Sequence, residues 1–197
     1  VAPRGAEARV FVDPGVTLAA QIAWLSPPDL APDTEAKRWS DLVESLGLAV
    51  LNRRYSAIQR GADPPFLRAA AYKSDQERAA TLTGAQVGAA PGKWREALAA
   101  AEQEQRRIVQ YGVRQDELDR EIEEVRAGLR ADAAGAATRR QSDLANDIVD
   151  TLADRSVVTS PAQDLATFEA AVKGLKAETV NAALKRVFTG QGPLVYL

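Results

Sequence analysis

Asp143, Asp147, Asp150 and Asp154 stand at i, i+4, i+7 and i+11, so a helix through them sets four carboxylates along one stripe. Carboxylates alone can hold Mg²⁺ or Ca²⁺, yet calcium favours loops that wrap roughly six to eight oxygens around it, and magnesium usually arrives with a phosphate. The stripe runs beside Leu144, Ile148 and Leu152 and reads as the solvated face of an amphipathic helix. Glu117, Glu121 and Glu124 share another helical face, and carboxylates in unlike environments can divide acid and base roles. Arg114, Arg120, Arg126 and Arg130 are interleaved with them, so this face reads as a surface laced with weak ion pairs. Arg53-Arg54-Tyr55 and Arg139-Arg140 are the tightest basic clusters, and a basic patch beside an aromatic can bind single-stranded nucleic acid. Acidic residues run through the same helices, which favours ordinary helix surface. The glycines at 84, 88, 92, 190 and 192 lack phosphate-loop spacing and a following Lys-Ser/Thr.

Composition narrows the chemistry further. The 197 residues include no histidine, which removes His-based triads and His-bound zinc from this chain. Cysteine is absent too, so there are no disulfides or thiolate sites, and the redox compartment stays open. With 25 basic against 27 acidic residues the net charge is -2, which gives no general field to hold nucleic acid. No apolar run is long enough to span a membrane, and no signal-peptide pattern is visible. The chain begins at Val1 and ends on the apolar "PLVYL", which suggests a segment of a longer protein. At this length and with 46% hydrophobic residues, one ordinary domain covering residues 1–197 is expected.

The elements that must carry these residues follow from periodicity. "RVFV" at 9–12 is a short strand, and after Asp13-Pro14-Gly15 a second strand alternates through Val16, Leu18, Ala20, Ile22 and Trp24. A long helix from Asp33 carries Trp39, Leu42, Val43, Leu46, Val50 and Ile58 at helical spacing and stops at Gly61, before Pro64-Pro65. Residues 66–72 and 78–90 read as two paired strands. The second half is nearly all helix. Trp94, Leu98, Ala101, Ile108 and Tyr111 form one stripe closed by Gly112, and Leu118, Ile122, Val125 and Leu129 form the next, supported by Asp116 and Arg120. "ADAAGAA" at 131–137 marks a loop or helix junction before the helix of Leu144, Ile148 and Leu152. Ser160-Pro161-Ala162-Gln163 is a capping box with proline at the first helical position, opening a helix that buries Leu165, Phe168, Val172 and Leu175. A short helix with Val180, Leu184 and Val187 follows, then a final strand at 194–197. Strands first, helices after and one returning strand predict an α+β fold, a mostly antiparallel sheet with helices on one face.

The order of these pieces resembles the non-catalytic, second-type domain of the pitrilysin/insulinase-type zinc metallopeptidases. The resemblance runs from about residue 30 onward through "LNRRYSAIQRGADPPFLRAA", "APGKWREALAAAEQEQRRIVQYG", "VRQDELDREIEEVR", "SDLANDIVDTL" and "SPAQDLATFEAAVKGLKAETVNAALKRVF". Catalytic domains of that family hold zinc with an inverted His-x-x-Glu-His motif and a distant Glu. A chain without histidine cannot supply it. The resemblance therefore implies a domain with no catalytic residue, cofactor or metal ligand of its own, with zinc in a homologous catalytic domain or subunit. Such domains help enclose an unfolded peptide, and relatives are often bacterial and exported to the periplasm. The Arg-rich basic usage agrees with a high-GC bacterium. Some non-catalytic domains of the family set an Arg and a Tyr, seven residues apart at the helix-to-strand connection, against the substrate backbone. Here Leu67 follows Arg60 at that distance, with Phe66 the nearest aromatic, so Arg60 and Phe66 are the weak substrate or interdomain contacts implied. After "YG" the family often has Ser or Thr as a helix cap, where this chain has Arg114. Two rivals make different demands. A helical interaction module would lack a sheet from residues 16–25, 66–90 and 194–197. A carboxylate-only hydrolase would bring two acids into one deep pocket.

Overall fold

The computed structural model describes residues 19–76 and 78–197. The expected strand at 9–12 and the start of the next at 16–18 lie outside the described residues. Four strands, β1 (Ala19–Ser26), β2 (Arg68–Gln76), β3 (Ala80–Gly88) and β4 (Gln191–Tyr196), form one sheet in the order β2-β3-β1-β4, and each neighbouring pair is antiparallel. Among the described residues the α-helices are α1 (Glu35–Gln59), α2 (Trp94–Tyr111), α3 (Gln115–Gly135), α4 (Gln141–Ala153), α5 (Pro161–Val172) and α6 (Ala177–Val187). This is the expected α+β architecture, and the sheet excludes the helix-only rival.

Register explains the core. Ala69, Val87 and Ala20 form one cross-strand row and Ala71, Ala85 and Ile22 the next, so their side chains share the face that the helices cover. Against that face lie α1 and α2; α6 packs on both of them, and α3 packs on α1 and α5. Small residues allow close approach: a Cβ on Gly47 would stand 2.7 Å from the Leu184 side chain of α6, and one on Gly84 would stand 2.4 Å from the Ile22 carbonyl oxygen.

Helix ends follow local chemistry. Thr34 Oγ1 accepts the Lys37 backbone N–H at 3.2 Å, and Ser160 with Gln163 completes the expected box around Pro161. Gly112 ends α2 with φ at 79°, a backbone that glycine adopts freely. Without Ser or Thr, α3 keeps half a box: the Arg114 backbone N–H donates to Glu117 Oε2 at 2.9 Å, while the Arg114 side chain pairs with Asp116. Asp116 is thus bound to Arg114 rather than to Arg120, the partner expected from spacing. Residues 131–137 form the end of α3 and a short 3₁₀ turn, a helix junction as read.

Some positions depart from the stripes. Trp39, on the second turn of α1, is 42% exposed, and Tyr111 lies outside the core at the end of α2. The β2–β3 hairpin closes later than the apolar pattern suggests, with Arg78 in the turn. Leu144, Ile148 and Leu152 keep their helical spacing, yet α4 has no buried residue.

Candidate functional site

The two basic and acidic clusters singled out in the sequence meet each other across helices. Arg54 of α1 donates to both carboxylate oxygens of Glu117 on α3, at 2.9 and 2.7 Å, and to the Gly112 carbonyl at 3.0 Å. Its remaining nitrogen lies 3.4 Å from Glu104 of α2, which also accepts from Arg107 at 2.9 Å. Arg53 pairs with Glu121 and Glu124. Glu121 is only 5% exposed and Glu104 similarly buried, so this is an inter-helix network rather than a weakly laced surface. Burial raises the cost of charging Glu117, but hydrogen bonds from Arg54 and from the Arg114 N–H outweigh it and hold its pKa below the ordinary carboxylate value. The Glu117 carboxylate is thereby favoured in its charged form, as the partner of Arg54. Tyr55 is fully buried, donating its hydroxyl to the Ala101 carbonyl at 2.9 Å, and burial pushes its phenol above its ordinary value. Arg53-Arg54-Tyr55 is therefore a helix-docking element, which corrects the reading of it as plain surface.

Phe66 is 2% exposed and meets the Tyr55 ring edge-on, with centroids 6.1 Å apart. Arg60 stands exposed at the C-terminal end of α1. Beside them the outer edge of β2 is held by α1: Asn52 accepts the Ala71 N–H at 2.7 Å and donates to the Ala71 carbonyl at 3.0 Å, taking the place of a neighbouring strand. Of the aspartates on α4, Asp147 pairs with Arg139 and Asp143 accepts from Ser142 at 3.4 Å. Among the described residues, no group of three or more His, Cys, Asp or Glu stands where it could hold a metal ion.

A solvent-open cleft of about 1430 Å³ lies between the start of α1, the β2–β3 turn and the α4–α5 connection. Its floor is an ion ladder: Lys37 bridges Asp29 and Asp41 at 2.7 and 2.8 Å, and Lys73 reaches Glu44 at 2.6 Å. The far wall is tied down by Asp33, which accepts the Val157 N–H at 2.8 Å, and by Arg38, which donates to the Val157 carbonyl at 2.7 Å and to Asp33. The Arg38 guanidinium, helped by the Val157 N–H, lowers the Asp33 pKa from 3.8 to about 2. No spacing rule pointed to this cleft, because its walls come from segments far apart in the chain.

Similarity to known proteins lies in the fold. No family model and no curated protein matches the sequence. Among solved structures, the periplasmic protease PqqL from Escherichia coli superposes with a TM-score of 0.78 over 88% of this chain, at 16% identity, and the match takes in 19% of that chain. A peptidase M16 inactive domain from Pseudomonas fluorescens matches over 90% of this chain and 40% of its own, with a TM-score of 0.60 and 14% identity. The fold is that of an M16 peptidase domain. An inactive peptidase domain from Bordetella parapertussis matches end to end, over 94% of this chain and 92% of that one, with a TM-score of 0.54 and 13% identity. The M16-type fold thus agrees with the resemblance to insulinase-type domains, while the chain spans well under half of the first two solved chains. No described helix is long and apolar enough to cross a membrane.

Proposed function

We propose that this chain is a non-catalytic domain of an M16 zinc endopeptidase, forming part of the peptide-enclosing chamber and the contacts between domains. The observation that carries this reading is an M16-type fold, shared with inactive peptidase domains, in a sequence with no histidine. Without imidazole the inverted zinc motif cannot be assembled here, so the zinc and the activated water belong to a homologous catalytic domain or subunit. This chain supplies shape. Its helices are locked by the Arg54 network and its sheet is closed at the β2 edge by Asn52, which suits a rigid wall. Arg60, exposed at the helix-to-strand connection, is the reachable member of the proposed Arg60 and Phe66 contact pair. Phe66 acts from beneath by fixing that connection. A bacterial, periplasmic or otherwise exported parent fits the likeness to PqqL.

The test is reconstitution. The catalytic domain of the parent enzyme, expressed without this segment, is mixed with the chain and assayed on an unstructured fluorogenic peptide. A stable complex with restored turnover is expected. A catalytic domain of full activity that neither binds the chain nor responds to it would overturn the proposal.

A further inference from the structure

The sheet order makes β2 an edge strand, and among the described residues no strand lies on its outer side. It is 9 residues long, against roughly five or six for an ordinary strand, so the edge is an extended one. Natural edges are blunted by charge, proline or a bulge. Arg68, Lys73 and Asp75 put charge toward the ends of β2, but Ala69, Ala70, Ala71 and Tyr72 between them carry none, and the pairing with β3 runs through this stretch without a bulge. The middle of β2 would by itself offer unpaired backbone groups to any extended chain. Here α1 takes them up. It runs beside β2 in the opposite direction and meets it at three places: Glu44 accepts from the Lys73 ammonium at 2.6 Å, Asn52 holds both backbone groups of Ala71, and Gln59 Nε2 donates to the Leu67 carbonyl at 2.6 Å. Glu44 to Gln59 is about 22 Å of helix and Lys73 to Leu67 about 20 Å of strand, so the two elements stay level along the edge. Asn52 and Gln59 are about two turns apart on α1 and therefore leave the same helical face. A side-chain amide carries the donor and acceptor of a peptide unit, which is how Asn52 answers the Ala71 N–H and C=O together.

We propose that α1 guards this edge against strand addition, so that an extended peptide passing over the domain is not captured by β2. Main-chain hydrogen bonds supply the affinity when a peptide adds to a sheet edge. At Ala71 and Leu67 those bonds are already made within the chain, and a peptide gains nothing there unless Asn52 and Gln59 give way. The edge is thus a latent pairing site that the fold keeps shut with two amides. From the peptide-handling reading this takes only the identity of the excluded segment, an unfolded peptide.

The experiment is fluorescence anisotropy with the 197-residue chain and a labelled peptide of alternating Thr and Val, beside the same peptide N-methylated at every second residue, which lacks one row of edge donors. The parent chain is expected to bind both weakly and alike. Asn52→Ala combined with Gln59→Ala frees three backbone groups and should bind the unmethylated peptide at least about tenfold more tightly than the parent does, with the methylated peptide unchanged. Amide exchange at Ala71, fast in the free variant, should slow again when the unmethylated peptide is present. Asn52→Asp keeps the acceptor for the Ala71 N–H and frees the Ala71 carbonyl alone, so it should show a smaller gain with full helicity even where the double variant fails to fold. No gain in a variant of full helicity, an equal gain for the methylated peptide, or self-association of the double variant without peptide uptake would overturn the proposal. All of these are read on the chain alone, so failure to reconstitute a peptidase is a separate result.

Discussion

Removing the guanidinium of Arg54 should expose how much of the helical layer depends on one side chain. Arg54→Met keeps the aliphatic stem and strands Glu117, whose side chain is 15% exposed, and Glu104, at 7%, together with the Gly112 carbonyl. Taking one partner from a buried pair costs about 3–5 kcal/mol. Here Arg107 still serves Glu104 and the Arg114 N–H still serves Glu117, so the loss shrinks to about 2–3 kcal/mol. For a chain of this length that corresponds to a fall in Tm of roughly 4–12 °C, or about 1 M in the urea midpoint. Adding Glu117→Gln neutralises the stranded charge and should restore about 1–2 kcal/mol of the loss, the size of coupling expected between contacting groups. The assay is equilibrium urea unfolding followed by circular dichroism for the four members of the cycle. A single variant within about 0.5 kcal/mol of the parent, or a double variant no better than Arg54→Met, would refute the reasoning.

Other perturbations test other joints. Asn52→Ala uncovers both backbone groups of Ala71 and should cost about 2–3 kcal/mol in urea unfolding, with amide exchange at Ala71 accelerated; unchanged exchange would contradict the strand-mimic role. Gly84→Ala drives a Cβ into the Ile22 carbonyl and should lower stability by about 2 kcal/mol or more, whereas a neutral result would mean the central strands move apart freely. Asp33, at about 2 in the folded chain against 3.8 ordinarily, contributes stability that is complete above its ordinary pKa and is lost as pH falls through about 2. Asp33→Asn should therefore flatten the acid limb of the stability profile between about pH 4 and 2, and an unaltered limb would remove Asp33 from the clamp.

What could be read from the sequence was whatever a few neighbouring residues decide. Ser160, Pro161 and Gln163 announce α5 because cap, proline and return bond all lie within one turn. Gly112 ends α2 for an equally local reason, its left-handed backbone. Glu104 and Glu121 look like any solvated helix acid until Arg54 and Arg53 are brought to them from another helix, a partnership no local window contains. The stripe of Leu144, Ile148 and Leu152 shows the converse: periodicity reveals an apolar face but not whether anything covers it. Absence of histidine was visible at once, and it limits the chemistry of this chain. The cleft was invisible, since Asp33 and Val157, which tie down its far wall, are 124 positions apart and meet only on folding.

Zinc analysis of the purified chain, with peptide turnover followed on the same sample, addresses the central claim most directly. The account predicts substoichiometric zinc and no cleavage that chelator removes. One tightly held zinc per chain, accompanied by chelator-sensitive turnover, would contradict it.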